Sequence, residues 1–254
     1  MKQGDKESRD SALKGLLTAL RLLIAVPIPG PREWEPRHAV RWLPAVGLLI
    51  GVGGAALAVL LGWVLPVAVT AVLIVTFLTF ISGCLHLDGL ADTADGLMGT
   101  DDPEEAMAIM RDSRIGSMGV AAVVCVLAVK AAALFALGPG GLWRGALALP
   151  LAGRVGIVLA AWFLPYARTE GGLGAEFCET SGRWETLLPV LLLAIVLPLT
   201  AGHRGMMAAA VSVGGTIGFI MLQNRQLGGA TGDTLGATCE VAEACAAVGL
   251  CITL

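Results

Sequence analysis

Charge is scarce in this chain. Only 15% of its 254 residues are Asp, Glu, Lys or Arg, while 56% are hydrophobic. With a mean hydropathy of +0.79, that excludes an ordinary soluble domain, in which about a quarter of residues are charged. The net charge of −3 says little, because the charges are sorted by loop, and no nucleic-acid partner is expected. Close cysteine pairs are missing too. Cys84, Cys125, Cys178, Cys239, Cys245 and Cys251 are scattered, mostly within apolar runs, which argues for packing and against zinc or disulfides. No cleavable signal peptide is expected, since the first ten residues are polar and no small-residue cleavage site follows a short apolar core. The chain also lacks a Walker-type P-loop, a Gly-x-Ser-x-Gly elbow and any supportable Ser/His/Asp arrangement.

What remains is a series of apolar runs, each near the roughly 20 residues needed to cross a bilayer. Spans are predicted at 42–63, 66–85, 116–137, 142–164, 186–201, 205–222 and 234–254. The expected architecture is all-α: a polytopic integral membrane helical bundle of about seven transmembrane helices. It forms a single membrane-embedded catalytic domain over 1–254, with residues 1–14 as a polar N-terminal tail. Residues 11–26 carry Lys14 and Arg21 on one face, which suits a helix lying in the membrane interface; Pro27, Pro29 and Pro31 end it. Gly47/Gly51 and Gly214/Gly218 have the spacing that lets helices approach closely. Lys and Arg gather on one side, at the N-terminus and at Arg32, Arg37, Arg111, Arg114, Arg168, Arg183 and Arg225, which predicts that those loops are cytoplasmic.

The chain is organised around Gly83–Gly96, where His86, Asp88, Asp92 and Asp95 follow an apolar run. In a helix, at about 100° per residue, the three aspartates fall within an arc of roughly 60°. Leu87, Leu90, Ala94 and Leu97 make the opposite stripe. Three like charges on one stripe repel one another unless a cation compensates them. Short carboxylates suit a hard ion such as Mg²⁺, which takes one or two carboxylates plus phosphate oxygens. The alternative is a solvated helix end. His86 is read as a general acid/base or as a hydrogen-bonding histidine at a helix end.

Further along, Asp102, Pro103 and Glu105 form a helix start with cap, N1 proline and capping-box glutamate. The short helix that follows would turn Met107, Ile109 and Met110 toward the membrane surface. It leads to Arg111-Asp112-Ser113-Arg114, whose planar guanidinium forks can hold phosphate oxygens. Tyr166–Glu185 holds Arg168, Glu170 and a glycine-rich segment, a weak signal. Gly228–Gly236 brings backbone, hydroxyl and carboxylate together at Thr231, Gly232 and Asp233. It opens a span holding Glu240 and Glu243, which are costly facing lipid and could pair with Lys130 and Arg154. Carboxylates, arginines and glycine-rich loops together suggest phosphoryl-type transfer.

At His86–Gly96, Met110–Gly116 and Gly228–Glu243 the sequence resembles the cobalamin synthase family, adenosylcobinamide-GDP ribazoletransferase. Similarity at Pro27–Gly30 and Tyr166–Gly174 extends it along almost the whole chain. The resemblance implies a Mg²⁺-dependent enzyme of the bacterial inner membrane, active on its cytoplasmic face, in late vitamin B12 assembly. Its substrates would be adenosylcobinamide-GDP and α-ribazole or α-ribazole 5′-phosphate. Asp88, Asp92 and Asp95 would hold the metal and one would act as base. Arg111, Asp112, Ser113, Arg114, Thr231, Gly232 and Asp233 would bind substrate, and a homo-oligomer is possible. Two other readings compete. Asp92-Thr93-Ala94-Asp95-Gly96 opens like a CDP-alcohol phosphotransferase signature, but Leu97-Met98-Gly99-Thr100 replaces the Ala-Arg pair that should follow. A divalent-cation transporter would rest on Glu240 and Glu243.

Overall fold

The computed structural model describes residues 2–29, 36–180 and 182–253. Among them the regular structure is helical: α1 (Lys2–Leu23), α2 (Pro36–Ala39), α3 (Leu43–Gly62), α4 (Val67–Ile81), α5 (Leu85–Gly99), α6 (Pro103–Ile109), α7 (Ser117–Ala136), α8 (Leu142–Phe163), α9 (Leu173–Thr180), α10 (Arg183–Ala201), α11 (His203–Leu227) and α12 (Gly232–Leu250). The all-α expectation holds. The polar N-terminal stretch, however, is already helical from Lys2, so α1 starts earlier than the predicted 11–26 and stops at Leu23. Pro31 and Arg32 lie outside the described residues.

Helix α8 is the axis of the bundle. It is apolar around its whole circumference and almost entirely buried, as a helix enclosed by others must be. Helices α3, α10, α11 and α12 pack around it. Gly47 and Gly51 allow α3 to lie directly on α8, since a Cβ at either would come within 2.6 Å of the carbonyl oxygen of Pro150 or Leu147. Gly214 and Gly218 do not do this: a Cβ at either meets nothing within 4 Å, and the close glycines on α11 are Gly205, against Leu197, and Gly215, against Cys245. The outward faces carry Leu49, Val72, Phe80, Val124, Leu191, Leu199 and Met221, all more than half exposed. Lipid is the solvent that makes such a surface favourable.

Among the described residues four helical segments can cross a membrane by length and apolarity: Val40–Gly62 (the 3₁₀ turn Val40–Trp42 runs straight into α3), α7, α8 and α11. Taken together, α4 and α5 make a fifth candidate. The expected seven included two more. In α10 the apolar stretch is the shorter Thr186–Ala201. In α12 nearly every residue from Thr234 onward is buried or partly buried against protein, so its sequence need not read as lipid-facing.

That enclosure explains Glu240 and Glu243. Lys130 Nζ on α7 donates to Glu240 Oε2 at 2.5 Å and Glu243 Oε2 at 2.7 Å, and Arg154 Nη1 on α8 donates to Glu243 Oε1 at 2.6 Å. Two cations and two anions, all at most 6% exposed in their side chains, neutralise one another and tie three helices together. The pairing predicted for Lys130 and Arg154 is present. The feature that would have favoured cation transport is an internal ion network.

Candidate functional site

The site begins at a sharp turn. After α4 the backbone takes positive φ at Gly83 (+61°) and Cys84 (+62°), a conformation uncommon for a residue with a side chain. As a result α5 leaves α4 at 88°. It packs against α7 and α12 and carries the acidic stripe with it. Its apolar stripe does what the pattern demands: Leu87 and Leu90 are buried with Ala237 of α12.

Gly89 decides what faces the aspartates. A Cβ there would sit 2.6 Å from the carbonyl oxygen of Asp233, so only glycine lets the first turn of α12 rest on α5. That turn is built locally. Thr231 caps the helix, its hydroxyl accepting from the Thr234 N–H, while the Thr234 hydroxyl accepts from the Thr231 N–H at 2.8 Å. Thr231 is therefore buried as the cap, and Gly232 and Asp233 are the residues of the motif that reach the surface of the site. The segment before α12 is held in turn. Ala230 N–H donates to Pro165 O and Ala167 N–H donates to Ala230 O, both at 2.8 Å, with Gly229 packed against Pro165. The pairing brings Arg168 to Asp233, with Nη2 to Oδ2 at 2.6 Å.

Four carboxylates and one guanidinium thus share one region. Asp92 lies within electrostatic reach of Asp88, Asp233, Asp95 and Arg168. Acids crowded against a single cation have the character of a site for a hard cation, so Mg²⁺ fits the donor set. Among the described residues no three His, Cys, Asp or Glu side chains form a ready cage. For Mg²⁺ that is no obstacle, because phosphate and water oxygens usually complete its shell.

The stripe does not act as one unit. Asp88 and Asp233 line a cavity of about 200 Å³ together with His86, Gly89, Gly232 and Gly236. Asp95 faces α7, its two oxygens accepting the N–H groups of Gly116 at 2.6 Å and Gly119 at 2.8 Å. It caps the start of the next span, a charge well suited to a helix N-terminus. His86 is 4% exposed and lies at the inner side of α5, toward the buried charges of Arg154, Glu243 and Lys130.

The arginine pair lies at the far end of α5. Asp102 caps α6 as predicted, accepting from the N–H groups of Glu104 and Glu105 at 2.9 Å. Glu105 does not close the box; it accepts from the Thr100 hydroxyl at 2.7 Å. Met110 turns inward, 3% exposed against Leu227 and Gly96, where a membrane-facing position was expected. Arg111, Ser113 and Arg114 are exposed. Arg111 pairs with Glu170 at 2.6 Å and Arg114 with Asp112 at 2.5 Å, and the Arg114 hydrogen bonds hold Asp112 down at about 2. Neither arginine is ion-paired to the carboxylates of α5. Arg168 is the one beside them, with a buried Nε that has no partner. In the sequence its loop carries only a weak signal, the resemblance that begins at Tyr166-Ala167-Arg168.

Comparison with known proteins agrees with this architecture. A family model, cobalamin-5-phosphate synthase, matches residues 15–251. The chain belongs to the cobalamin-5-phosphate synthase family. It is therefore an enzyme of cobalamin biosynthesis. Relatives named adenosylcobinamide-GDP ribazoletransferase include one from Syntrophobacter fumaroxidans, 38% identical over 90% of this chain and 94% of its own length. Another, from Acetivibrio thermocellus, is 36% identical over the same shares, and one from Chlorobium chlorochromatii is 37% identical over 91% of this chain and 93% of its own. No solved structure matches the chain. For this synthase family member, the cavity edge, the acidic stripe and Arg168 are where the chemistry has to be sought.

Proposed function

We propose that this protein transfers the cobinamide phosphate of adenosylcobinamide-GDP to α-ribazole or α-ribazole 5′-phosphate, giving adenosylcobalamin or its 5′-phosphate and GMP. The observation that carries the reading is the meeting of Asp88 and Asp92 on α5 with Asp233 at the start of α12 and Arg168 of the segment after α8. A hydroxyl of the acceptor ribose attacks the cobinamide-bearing phosphorus. A new P–O bond forms, the diphosphate bridge breaks, GMP departs with the electron pair, and the hydroxyl proton passes to a carboxylate of the cluster. Asp88 and Asp92 are the proposed Mg²⁺ ligands, Asp95 being engaged as the cap of α7, and a bound ion would supply positive charge against the diphosphate. Arg168 gives a planar fork for phosphate oxygens, and Arg111 and Arg114 extend the basic surface for the nucleotide end, with Asp112 and Ser113 between them. The site lies at one end of the bundle, on the side rich in Lys and Arg, which supports a cytoplasmic active face in the bacterial inner membrane.

The test is GMP formation by detergent-purified protein across a Mg²⁺ titration. Asp92→Asn should abolish it, and Asp88→Asn should raise the Mg²⁺ requirement, with extracted yield as the folding check. Wild-type rates and an unchanged Mg²⁺ midpoint in Asp92→Asn would refute the metal site.

A further inference from the structure

The cavity beside Asp88 and Asp233 has a mixed lining. Its apolar side includes Leu23 of α1, Ile157 of α8, Phe177 of α9 and Leu235 of α12, all at most 5% exposed, whereas Leu85 of α5, also in the lining, is 46% exposed. His86 lines the same cavity, is itself buried, and among the described residues no group hydrogen-bonds it. A buried polar side chain without a partner costs free energy, and a ligand in the cavity would supply one.

We propose that this cavity receives the aromatic base of the nucleoside acceptor, with His86 hydrogen-bonding a ring nitrogen and the ribose beside the carboxylates. The inference rests on the transfer reaction proposed above and adds where its acceptor binds. Three properties select that occupant. At about 200 Å³ the space suits a two-ring aromatic better than a corrin macrocycle. Among its polar side chains His86, Asp88 and Asp233 only the histidine is a ready donor, so guanine, whose O6 and N7 both need donors on burial, fits less well than a methyl-substituted benzimidazole, which carries little polarity besides its nitrogens. An acyl chain would match the apolar walls but not the polar side chains of His86, Asp88 and Asp233 in the same lining. With the base inserted, the sugar emerges beside Asp88 and Asp233, where a hydroxyl has to be for attack on the diphosphate.

The test separates this placement from the reaction itself. Binding of α-ribazole to the detergent-purified full chain is measured by equilibrium dialysis, with its free base, a dimethylbenzimidazole, as competitor. The base should displace α-ribazole from the wild-type protein. Ile157→Phe and Leu235→Phe, which fill the cavity, should weaken α-ribazole at least tenfold while leaving adenosylcobinamide-GDP binding within twofold, which also shows that the variants are folded. His86→Leu should weaken α-ribazole, with His86→Gln retaining more of the affinity. Failure of the free base to compete in the wild type would overturn the proposal without needing any variant. So would unchanged α-ribazole affinity in folded Phe variants, or a co-purified acyl chain in the cavity that α-ribazole does not displace. If GMP release persists through those results, the reaction stands and only the placement falls; if the wild type releases no GMP, the reaction itself is wrong.

Discussion

At the scale of single residues, the arginines and aspartates that look equivalent in sequence have separate roles. Arg168 has a carboxylate partner at 2.6 Å and a buried Nε still without one, whereas Arg111 and Arg114 are solvated and paired away from α5. A lysine at 168 would keep the charge and lose the fork. Loss of one charge-assisted hydrogen bond, about 1.5–3 kcal/mol, predicts a fall of about ten- to a hundredfold in kcat/KM for the donor in Arg168→Lys. The corresponding fall should be smaller in Arg114→Lys, and steady-state GMP release for both variants checks the ranking. Asp92 and Asp95 part company in the same way. In EDTA, Asp92→Asn relieves repulsion among carboxylates and should hold or raise the thermal midpoint. Asp95→Asn weakens the cap on α7 and should lower stability by about 1 kcal/mol. Thermal unfolding of the metal-free variants distinguishes them, and equal shifts would mean that the cap contributes nothing.

At the scale of elements, the site depends on a bend and a contact. The 88° turn after α4 sets α5 against α7 and α12, and Gly89 lets α12 begin against it. A methyl at Gly89 meets backbone, the Asp233 carbonyl oxygen, which has no freedom to retreat without moving Asp233 itself. Gly89→Ala should therefore cost about 1–3 kcal/mol as overpacking and reduce GMP formation more than that stability loss explains. Gly99→Ala is the control. Its closest neighbour is Ile109 Cδ1 at 3.1 Å, the end of a flexible side chain, and activity should stay near wild type. Measuring rate and thermal midpoint on the same preparations decides whether the contact positions the site or only fills space.

At the scale of the whole molecule, the buried network of Lys130, Glu240, Glu243 and Arg154 joins α7, α8 and α12 beneath the site. Removing one member leaves uncompensated charge in the interior, which typically costs 3–5 kcal/mol. Lys130→Met should sharply reduce the yield of extractable folded protein, and Lys130→Met combined with Glu240→Gln should recover much of it, because the remaining Arg154–Glu243 pair is neutral. Orientation is testable in intact cells. After removal of the native cysteines, a cysteine at Asp101 or Glu179 should react with an impermeant reagent only from the cytoplasmic side. Labelling from outside would place the acidic stripe on the wrong face for nucleotide chemistry.

The sequence by itself determined the solvent, the class and the chemistry. Apolar runs have one use at this length, and a helical period places Asp88, Asp92 and Asp95 on one arc whatever the tertiary context. The cap at Asp102 and the partners of Glu240 and Glu243 were legible because local hydrogen bonding and buried charge each leave few solutions. Only the tertiary structure decided the rest. Which carboxylate meets which depends on a turn at Gly83–Cys84 and on the clearance at Gly89, and neither has a periodic signature. The shift of Asp95 from the stripe to the start of α7, the inward turn of Met110 and the arrival of Arg168 beside Asp233 all come from contacts between segments distant in sequence. Local periodicity holds no information about those, since they arise only when the chain closes on itself.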